Sequence, residues 1–441
     1  MATQSRLAEF PRYQAVSTAG MALPDLQAVL RPGEAYYKLT IVGDQAFAIF
    51  VTAGAARAFR IAAGPAELDR EVDAIRATIS IEEDGKILTY PFDVERALKL
   101  HDLLFGPVRG ELAGVNHLVF EPDGAMLRLP PNLLVTERAG VETYLAKSRR
   151  PGDDGFDFRD IKWLGRDRDV STAVSASSFR DVRKVAPSRA AKAYLGFGDN
   201  APPPGNLVTQ AAVRGLMEAS SNCSWPLSAW ARPIPAAELQ IASNIIRGEG
   251  QGTEIVTGAA FSDDAIKGRG DLAQYRILHF ATHGFVTAPR PECPARPALL
   301  TSFGLGDSDG LLSFSEIYDL KLDADLIILS ACDTAGKASL AATREAGVTT
   351  GGGYALDGLV RAFVGAGGRS VIASHWPVPD DYDATKKLIA GIFEAPQGTN
   401  VATAMRRAEN VLMDRVETSH PYYWAGFAIV GDGAAPLLKA R

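Results

Sequence analysis

The chain has 441 residues, 46% of them apolar and 22% charged, and its 46 basic and 52 acidic side chains leave a net charge of −6. That length allows two domains, or one large domain with an appended part. A mildly acidic chain without a basic run argues against a nucleic-acid binder, and no apolar run reaches the length needed to span a bilayer.

The N-terminal stretch MATQSRLAEFPRYQAVSTAG lacks the apolar core of a signal peptide. The three cysteines, Cys223, Cys293 and Cys332, are too sparse for a disulfide framework and point to a reducing compartment. A cytoplasmic location is therefore expected.

Residues 1–32 show no clear period and read as a loose arm or a short helix. From Ala35 to Ile61 the runs YYKLTIV, AFAIFVT and ARAFRIA are separated by Gly43-Asp44 and Ala53-Gly54, which predicts a β-meander. Residues 66–80 place Leu68, Val72, Ile75 and Ile79 on one helical face, and residues 94–105 do the same with Leu98, Leu100 and Leu103/Leu104. The stretch 115–135 predicts a strand, a Pro-Asp-Gly turn and a second extended segment. Residues 148–157 and 199–206 read as loops, and 222–235 as a third irregular connection.

After residue 236 short apolar runs alternate with helical patterns. AELQIASNIIRGE is helical and EIVTG a strand, and SDDAIKG opens a helix with Ser262 as N-cap. YRILHFATHG and DADLIILSAC are strands, LDGLVRAFVGAG a helix and GRSVIASHW a strand. DYDATKKLIAGIFEA and NVATAMRRAENVLMDRV are helices, and WAGFAIVG is the last strand. This alternation implies an α/β fold whose mostly parallel sheet is buried on both faces. No internal repeat is visible, a 34-residue helical period included.

In open α/β sheets ligands bind beyond the carboxyl ends of the strands. Two strands here end in reactive side chains: YRILHFAT at His283-Gly284, and ADLIILSA at Cys332. The histidine comes first, with the order and approximate spacing known for caspases. A nearby imidazole lowers a thiol's pKa or takes its proton, giving the nucleophilic thiolate. Gly284 carries no side chain, so a substrate carbonyl could approach its N–H. The N–H groups of Gly284 and Cys332 are the candidate oxyanion hole, a feature worth roughly 3–4 kcal/mol per donor in other hydrolases. Either side chain alone reads as readily as a core residue; the pair at two strand ends is what suggests chemistry.

Four segments then take on a specific meaning. HFATHG, GLLSFSEIYDLKLDADLIILSACDTAG, GLVRAFVGAGGRSVIASHWPVPD and YYWAGFAIVGD resemble the successive blocks of CHAT-domain peptidases, in the caspase-like clan with separases and gingipains. The resemblance runs from about residue 92 to residue 432. PFDVERALKLHDLLFGPV and LVFEPDGAMLRLPPNLLV resemble the leading part of that domain, a degenerate copy of the protease fold. The resemblance implies a caspase-like sheet with flanking helices, preceded by the β-meander and a degenerate protease-like α/β part. The expected boundaries are 1–90, 91–198 and 199–435.

It further implies a cysteine endopeptidase with a His283/Cys332 dyad, cleaving a protein through a thioester without metal or other cofactor. Asp333 follows the cysteine where animal caspases have a different context, so aspartate specificity does not carry over. A bacterial regulatory or defence setting is expected, with a substrate encoded nearby and an activating partner. The alternative is a catalytically silent CHAT-like scaffold or partner-binding module.

The substrate pocket is read from the same resemblance. Asp380 stands four residues after Trp376, as in the corresponding separase stretch, and could pair with a basic side chain, with Asp381 as a substitute. Both aspartates equally suit the start of a helix, where acids favour the dipole. The Pro-rich stretch 286–308 and the stretch 336–353 are candidate substrate walls.

Other patterns fail on chemistry. His279 and His283 would lie about 13 Å apart along a strand, too far for one zinc. ACDTAGKAS has Ala331 and Ala338 where a phosphate loop needs Gly and Ser/Thr. No GxSxG elbow is present. His375 is a candidate third member of the site.

Overall fold

The computed structural model describes residues 21–83, 86–203, 227–285, 297–304, 308–332, 355–377, 379 and 381–438. The chain forms two compact units, one of residues 1–186 with 378–441, the other of residues 187–377. Among the described residues, no helix is long and apolar enough to cross a membrane.

Among the described residues, the first unit begins with a short helix, Leu23–Gln27, and the expected meander: β1 (Glu34–Val42), β2 (Gln45–Thr52) and β3 (Ala56–Arg60). β1 pairs antiparallel with β2, and β2 with β3. Helices Pro65–Ile79 and Val94–Phe105 follow. The first buries Leu68, Val72, Ile75 and Ile79, as its period predicts; the second buries Leu98, Leu100 and Leu104 but leaves Leu103 half-buried. A two-stranded ladder, β4 (Ile81–Glu83) with β5 (Lys86–Leu88), lies between them in sequence.

β6 (His117–Glu121) pairs parallel with β1, and β7 (Asp169–Thr172) parallel with β6. The second extended segment expected before residue 135 is instead two 3-10 turns, Gly124–Arg128 and Pro131–Leu133. Asp123 takes the Ile41 N–H at 2.8 Å, and Gly124 turns the chain at φ +57°, where a Cβ would meet Ile41 Cδ1 at 2.3 Å. That turn leaves no room for a paired strand.

The second unit carries β8 (Lys192–Gly198), β9 (Thr253–Val256), β10 (Tyr275–Phe285), β11 (Ala298–Leu300), β12 (Leu311–Ser313), β13 (Leu326–Cys332) and β14 (Ser370–Ser374). Its parallel order is β9-β8-β10-β13-β14. The end of β10 also pairs antiparallel with β11, and β11 with β12. Part of the stretch expected to be irregular, 286–308, is thus β-structure; residues 286–296, 305–307 and 333–354 lie outside the described residues.

The apolar runs of β8, β10 and β14 are buried almost throughout, as a sheet covered on both faces requires. Helix Ala237–Gly248 buries Leu239, Ala242 and Ile246, and helix Ala355–Ala366 buries Leu359, Val360 and Phe363. Ser262 caps helix Asp263–Gly268 through the Ala265 N–H, as expected.

The chain returns to the first unit through helices Ala384–Phe393 and Val401–Met413 and ends in β15 (Phe427–Gly431), parallel to β7. The expected boundaries at 90 and 198 do not coincide with these units. The meander and the following part share one sheet through the β1–β6 pairing, and the last two long helices belong with them.

A buried ion cluster ties the distant segments of the first unit. Arg183 donates to Glu34 at 2.7 Å and to Asp432 at 2.9 Å, and the Glu34 carboxylate also meets His117 Nδ1 at 3.2 Å. Burial alone would raise the Glu34 carboxyl, but Arg183, His117 and the Arg31 N–H hold it well below the usual carboxylate range. Removing one partner of such a pair leaves an uncompensated buried charge. Arg183→Met is therefore expected to cost about 3–5 kcal/mol, read as a fall in the urea midpoint.

Two buried imidazoles set an acid limit. Burial lowers His101 and His420 to about 4. The unfolded chain binds these protons at about pH 6.5, so their stabilisation is complete above that value and is lost as pH falls toward 4. The slope is at most about 1.4 kcal/mol per histidine per pH unit. His420→Gln should flatten this dependence in urea titrations between pH 4 and 7.

Candidate active site

β10 and β13 run parallel in register from Ile277 opposite Leu326 to His283 opposite Cys332. Because both strands start in the core, their registers are fixed by buried apolar partners; Ile277, Leu278, Leu326 and Ile327 are all fully buried. The two candidate residues are therefore direct neighbours across adjacent strands, about 4.8 Å apart between backbones.

The pairing of β13 with β14 ends at Leu329 opposite Ala373, so Ser330, Ala331 and Cys332 extend beyond that ladder. β10 also continues past the site. Its last residues, Gly284 and Phe285, pair with Leu299 and Ala298 of β11 rather than ending the strand. One edge of Gly284 is thus occupied by this antiparallel ladder.

His283 is half-buried, and its Nε2 lies 2.6 Å from the backbone carbonyl of Arg232. A carbonyl can only accept, so Nε2 carries the hydrogen in the neutral ring and Nδ1 is the basic nitrogen. Two residues before that carbonyl the chain is anchored by a tryptophan. Trp230, 3% exposed, donates from Nε1 to Thr301 O at 2.9 Å and packs on Phe303 and Phe285 with ring centroids 5.1 and 6.0 Å away. Asn200 donates to the Trp230 carbonyl at 3.1 Å. Gly310, at φ +73°, lets the β12 approach pass under the indole; a Cβ there would stand 2.8 Å from Nε1.

Sequence reasoning missed this support. Trp230 and Arg232 fall in the stretch read as an irregular connection, and a backbone carbonyl leaves no residue signature. The tryptophan was the available signal.

The residues proposed for a substrate pocket are placed as follows. Trp376 is 1% exposed, a core side chain of the second unit rather than an open pocket wall. Asp380 lies outside the described residues. Asp381 is exposed and opens the 3-10 turn Asp381–Asp383 of the first unit. The following Tyr382 and Asp383 adopt left-handed φ values of 56° and 53°. Helix Ala384–Phe393 begins only afterwards, with no side-chain cap from Asp383, which instead pairs with Lys386 at 2.7 Å. His375 is buried.

Two other polar constellations have suggestive geometry. In the first unit Ser171 Oγ, His117 Nε2 and Glu34 form a serine–histidine–carboxylate relay, with Oγ 2.8 Å from Nε2. Ser171 is 1% exposed and Glu34 is already paired with Arg183, so no carbonyl can reach the hydroxyl; the relay is structural. In the second unit His279 lies beneath the strand ends, with Nδ1 2.9 Å from Tyr194 Oη and Nε2 3.0 Å from Ser330 Oγ. Those contacts, and the strand spacing, separate it from His283.

Comparison with known proteins gives this geometry a family. The CHAT domain model matches residues 94–432. Tetratricopeptide repeat protein 28 of Mus musculus is 30% identical over 125 residues, and that of Homo sapiens 31% over 122; each match covers 27% of this chain. The chain spans about 4% of the length of these curated relatives. Among solved structures, the Saccharomyces cerevisiae separase–securin complex aligns with 98% of this chain and 31% of that chain at 11% identity and a TM-score of 0.47. The Arg-specific cysteine proteinase gingipain R aligns with 85% and 75% at 9% identity and a TM-score of 0.38. With its matching region spanning well over half of its length, the chain belongs to the CHAT domain family.

Proposed function

We propose that the protein is a cysteine endopeptidase with Cys332 as nucleophile and His283 as base. The observation that carries this reading is the register that sets His283 opposite Cys332 as the last pair of the parallel β10–β13 ladder, with the imidazole anchored through Nε2. Anchoring leaves Nδ1 as the proton acceptor for the thiol.

In the proposed cycle Nδ1 takes the thiol proton and the thiolate attacks the scissile carbonyl carbon. Carbonyl electrons move onto oxygen, and the N–H groups of Gly284 and Cys332 are the proposed donors to that oxyanion. Collapse re-forms the carbonyl, breaks the C–N bond, and the departing amine takes the proton from His283. Water then attacks the thioester carbonyl, giving a proton to Nδ1; collapse breaks the C–S bond, the Cys332 thiolate takes that proton back, and the acid product leaves. No carboxylate is needed as a third member, because a carbonyl already orients the ring. Asp380 and Asp381 are the proposed partners of a basic side chain on the substrate.

The proposed setting is the cytoplasm of a bacterium, where a thiol nucleophile stays reduced. A neighbouring protein of a regulatory or defence system is the proposed substrate, and a partner the proposed activator.

A peptide library incubated with the full chain tests activity. Cys332→Ala and His283→Ala should each lower cleavage by at least about 100-fold while retaining the folded circular-dichroism spectrum. Full cleavage by folded Cys332→Ala would sink the reading. A thiol-reactive peptidyl probe should label Cys332 in a His283-dependent manner; no such labelling would favour a silent binding module.

The same library reports the residue preceding the cut. Preference for Arg or Lys, lost in Asp380→Asn or Asp381→Asn, supports the acidic pocket. A preference for small or apolar residues rejects it.

A further inference from the structure

Beneath the strand ends the core of the second unit holds a polar layer that the peptidase reaction does not use. His279 is fully buried, and so is Tyr194; Ser330 is 2% exposed and Glu238 6%. Tyr194 Oη meets His279 Nδ1 at 2.9 Å, and His279 Nε2 meets Ser330 Oγ at 3.0 Å. Glu238 Oε1 stands 3.3 Å from the same Nε2, at ion-pair distance but without hydrogen-bond alignment. Burial and the Glu238 charge push the Tyr194 phenol well above its ordinary range, so it stays protonated and can donate to Nδ1. The Nε2 hydrogen is then directed at Ser330.

These four groups come from three adjacent strands and one helix. Tyr194 lies on β8, His279 on β10, Ser330 on β13 and Glu238 on helix Ala237–Gly248. Buried polar groups add little net stability over apolar packing, and each is costly if its partner is lost. What such a layer supplies is a single permitted arrangement of its elements.

Side chains alternate along a strand, so His279 shares its face with His283, and Ser330 lies two residues before Cys332 on β13. Ala281 is opposite Ser330 in the same ladder that sets His283 opposite Cys332. The His279–Ser330 bond therefore crosses diagonally between the two strands, four residues before His283 on β10 and two before Cys332 on β13. Its place matters because β14 no longer pairs with β13 at Ser330, and β10 is the strand that holds this last segment by its register.

We infer that the Tyr194–His279–Ser330 chain, with Glu238 beside it, is a positioning device that fixes the end of β13 against β10 and so sets the approach of Cys332 to His283. This rests on the proposed dyad but assigns roles to residues outside it. His279 and Ser330 are positioning residues: they act through the strand ends and touch no substrate.

The test reads the thiol directly and needs no substrate. The rate of alkylation of Cys332 by iodoacetamide is followed from pH 5 to 10 in the full chain, with peptide-resolved mass spectrometry to separate Cys332 from Cys223 and Cys293. In the wild type the midpoint should lie below that of a free thiol, about 8.5, and should rise in His283→Ala. Ser330→Ala and Tyr194→Phe should each raise the midpoint and slow alkylation at pH 7 by about tenfold, with the folded spectrum retained. Ser330→Thr, which keeps the hydroxyl, should restore wild-type behaviour.

A purely structural layer would lower the melting temperature and leave the Cys332 midpoint unmoved. If folded Ser330→Ala or Tyr194→Phe alkylates with the wild-type midpoint and within twofold of its rate, the positioning role is overturned and the dyad stands. If wild-type Cys332 behaves as a free thiol regardless of His283, the dyad reading falls and this inference falls with it.

Discussion

Parallel pairing of β10 with β13 brings His283 and Cys332 together, and it does so before any catalytic argument enters. Two residues far apart in sequence become neighbours because Ile277, Leu278, Leu326 and Ile327 bury their side chains in one register. Both faces of these strands are buried, so a slip of one residue would exchange side chains of different volume between two packed layers and leave voids and clashes in each. That cost falls in the core, several residues from the candidate site, so the placement of His283 opposite Cys332 does not depend on contacts of their own.

The polar groups of each unit follow from the same constraint. A sheet covered on both faces has little room for charge, and the charges it does hold are closed into clusters. Glu34, Arg183 and Asp432 satisfy one another in the first unit. In the second, Asp325 accepts from Arg276 at 3.2 Å and from the Ser188 N–H at 2.7 Å at the amino end of the strands. The Tyr194–His279–Ser330 chain sits nearer the opposite end. The strands of the second unit are thus fastened by polar contacts below and above an apolar middle, which limits sliding in a way that dispersion alone does not.

Much of the sheet was legible because its signals are local. The runs YRILHFATHG, DADLIILSAC and GRSVIASHW are continuous and apolar, and each became a strand of the parallel sheet. Helix Pro65–Ile79 was equally plain from its period. What could not be read depended on contacts between distant segments. The two 3-10 turns after Glu121 exist because Asp123 is drawn to the Ile41 N–H. The β10–β11 ladder pairs β10 with part of the Pro-rich stretch 286–308, whose composition argued for a loop. His279 looked like half of a failed metal pair, since only the fold places Tyr194 and Ser330 on either side of its ring. The Arg232 carbonyl could not be anticipated at all, because every residue type has one.

That carbonyl has a chemical consequence. A carboxylate in its place would orient the imidazole and also stabilise its protonated form through full charge attraction. A carbonyl orients through the same hydrogen bond but contributes only a dipole, and it adds no second buried anion beside a thiolate. The proposed nucleophile is itself an anion in its active form, so a neutral orienter avoids placing two negative charges across one histidine. The ring is then free to form its charge pair with the thiolate alone. In the proposed site the segment of Trp230 and Arg232, rather than a third titrating group, orients the ring: the indole donates from Nε1 to Thr301 and packs with Phe285 and Phe303, and the carbonyl that meets His283 comes two residues later.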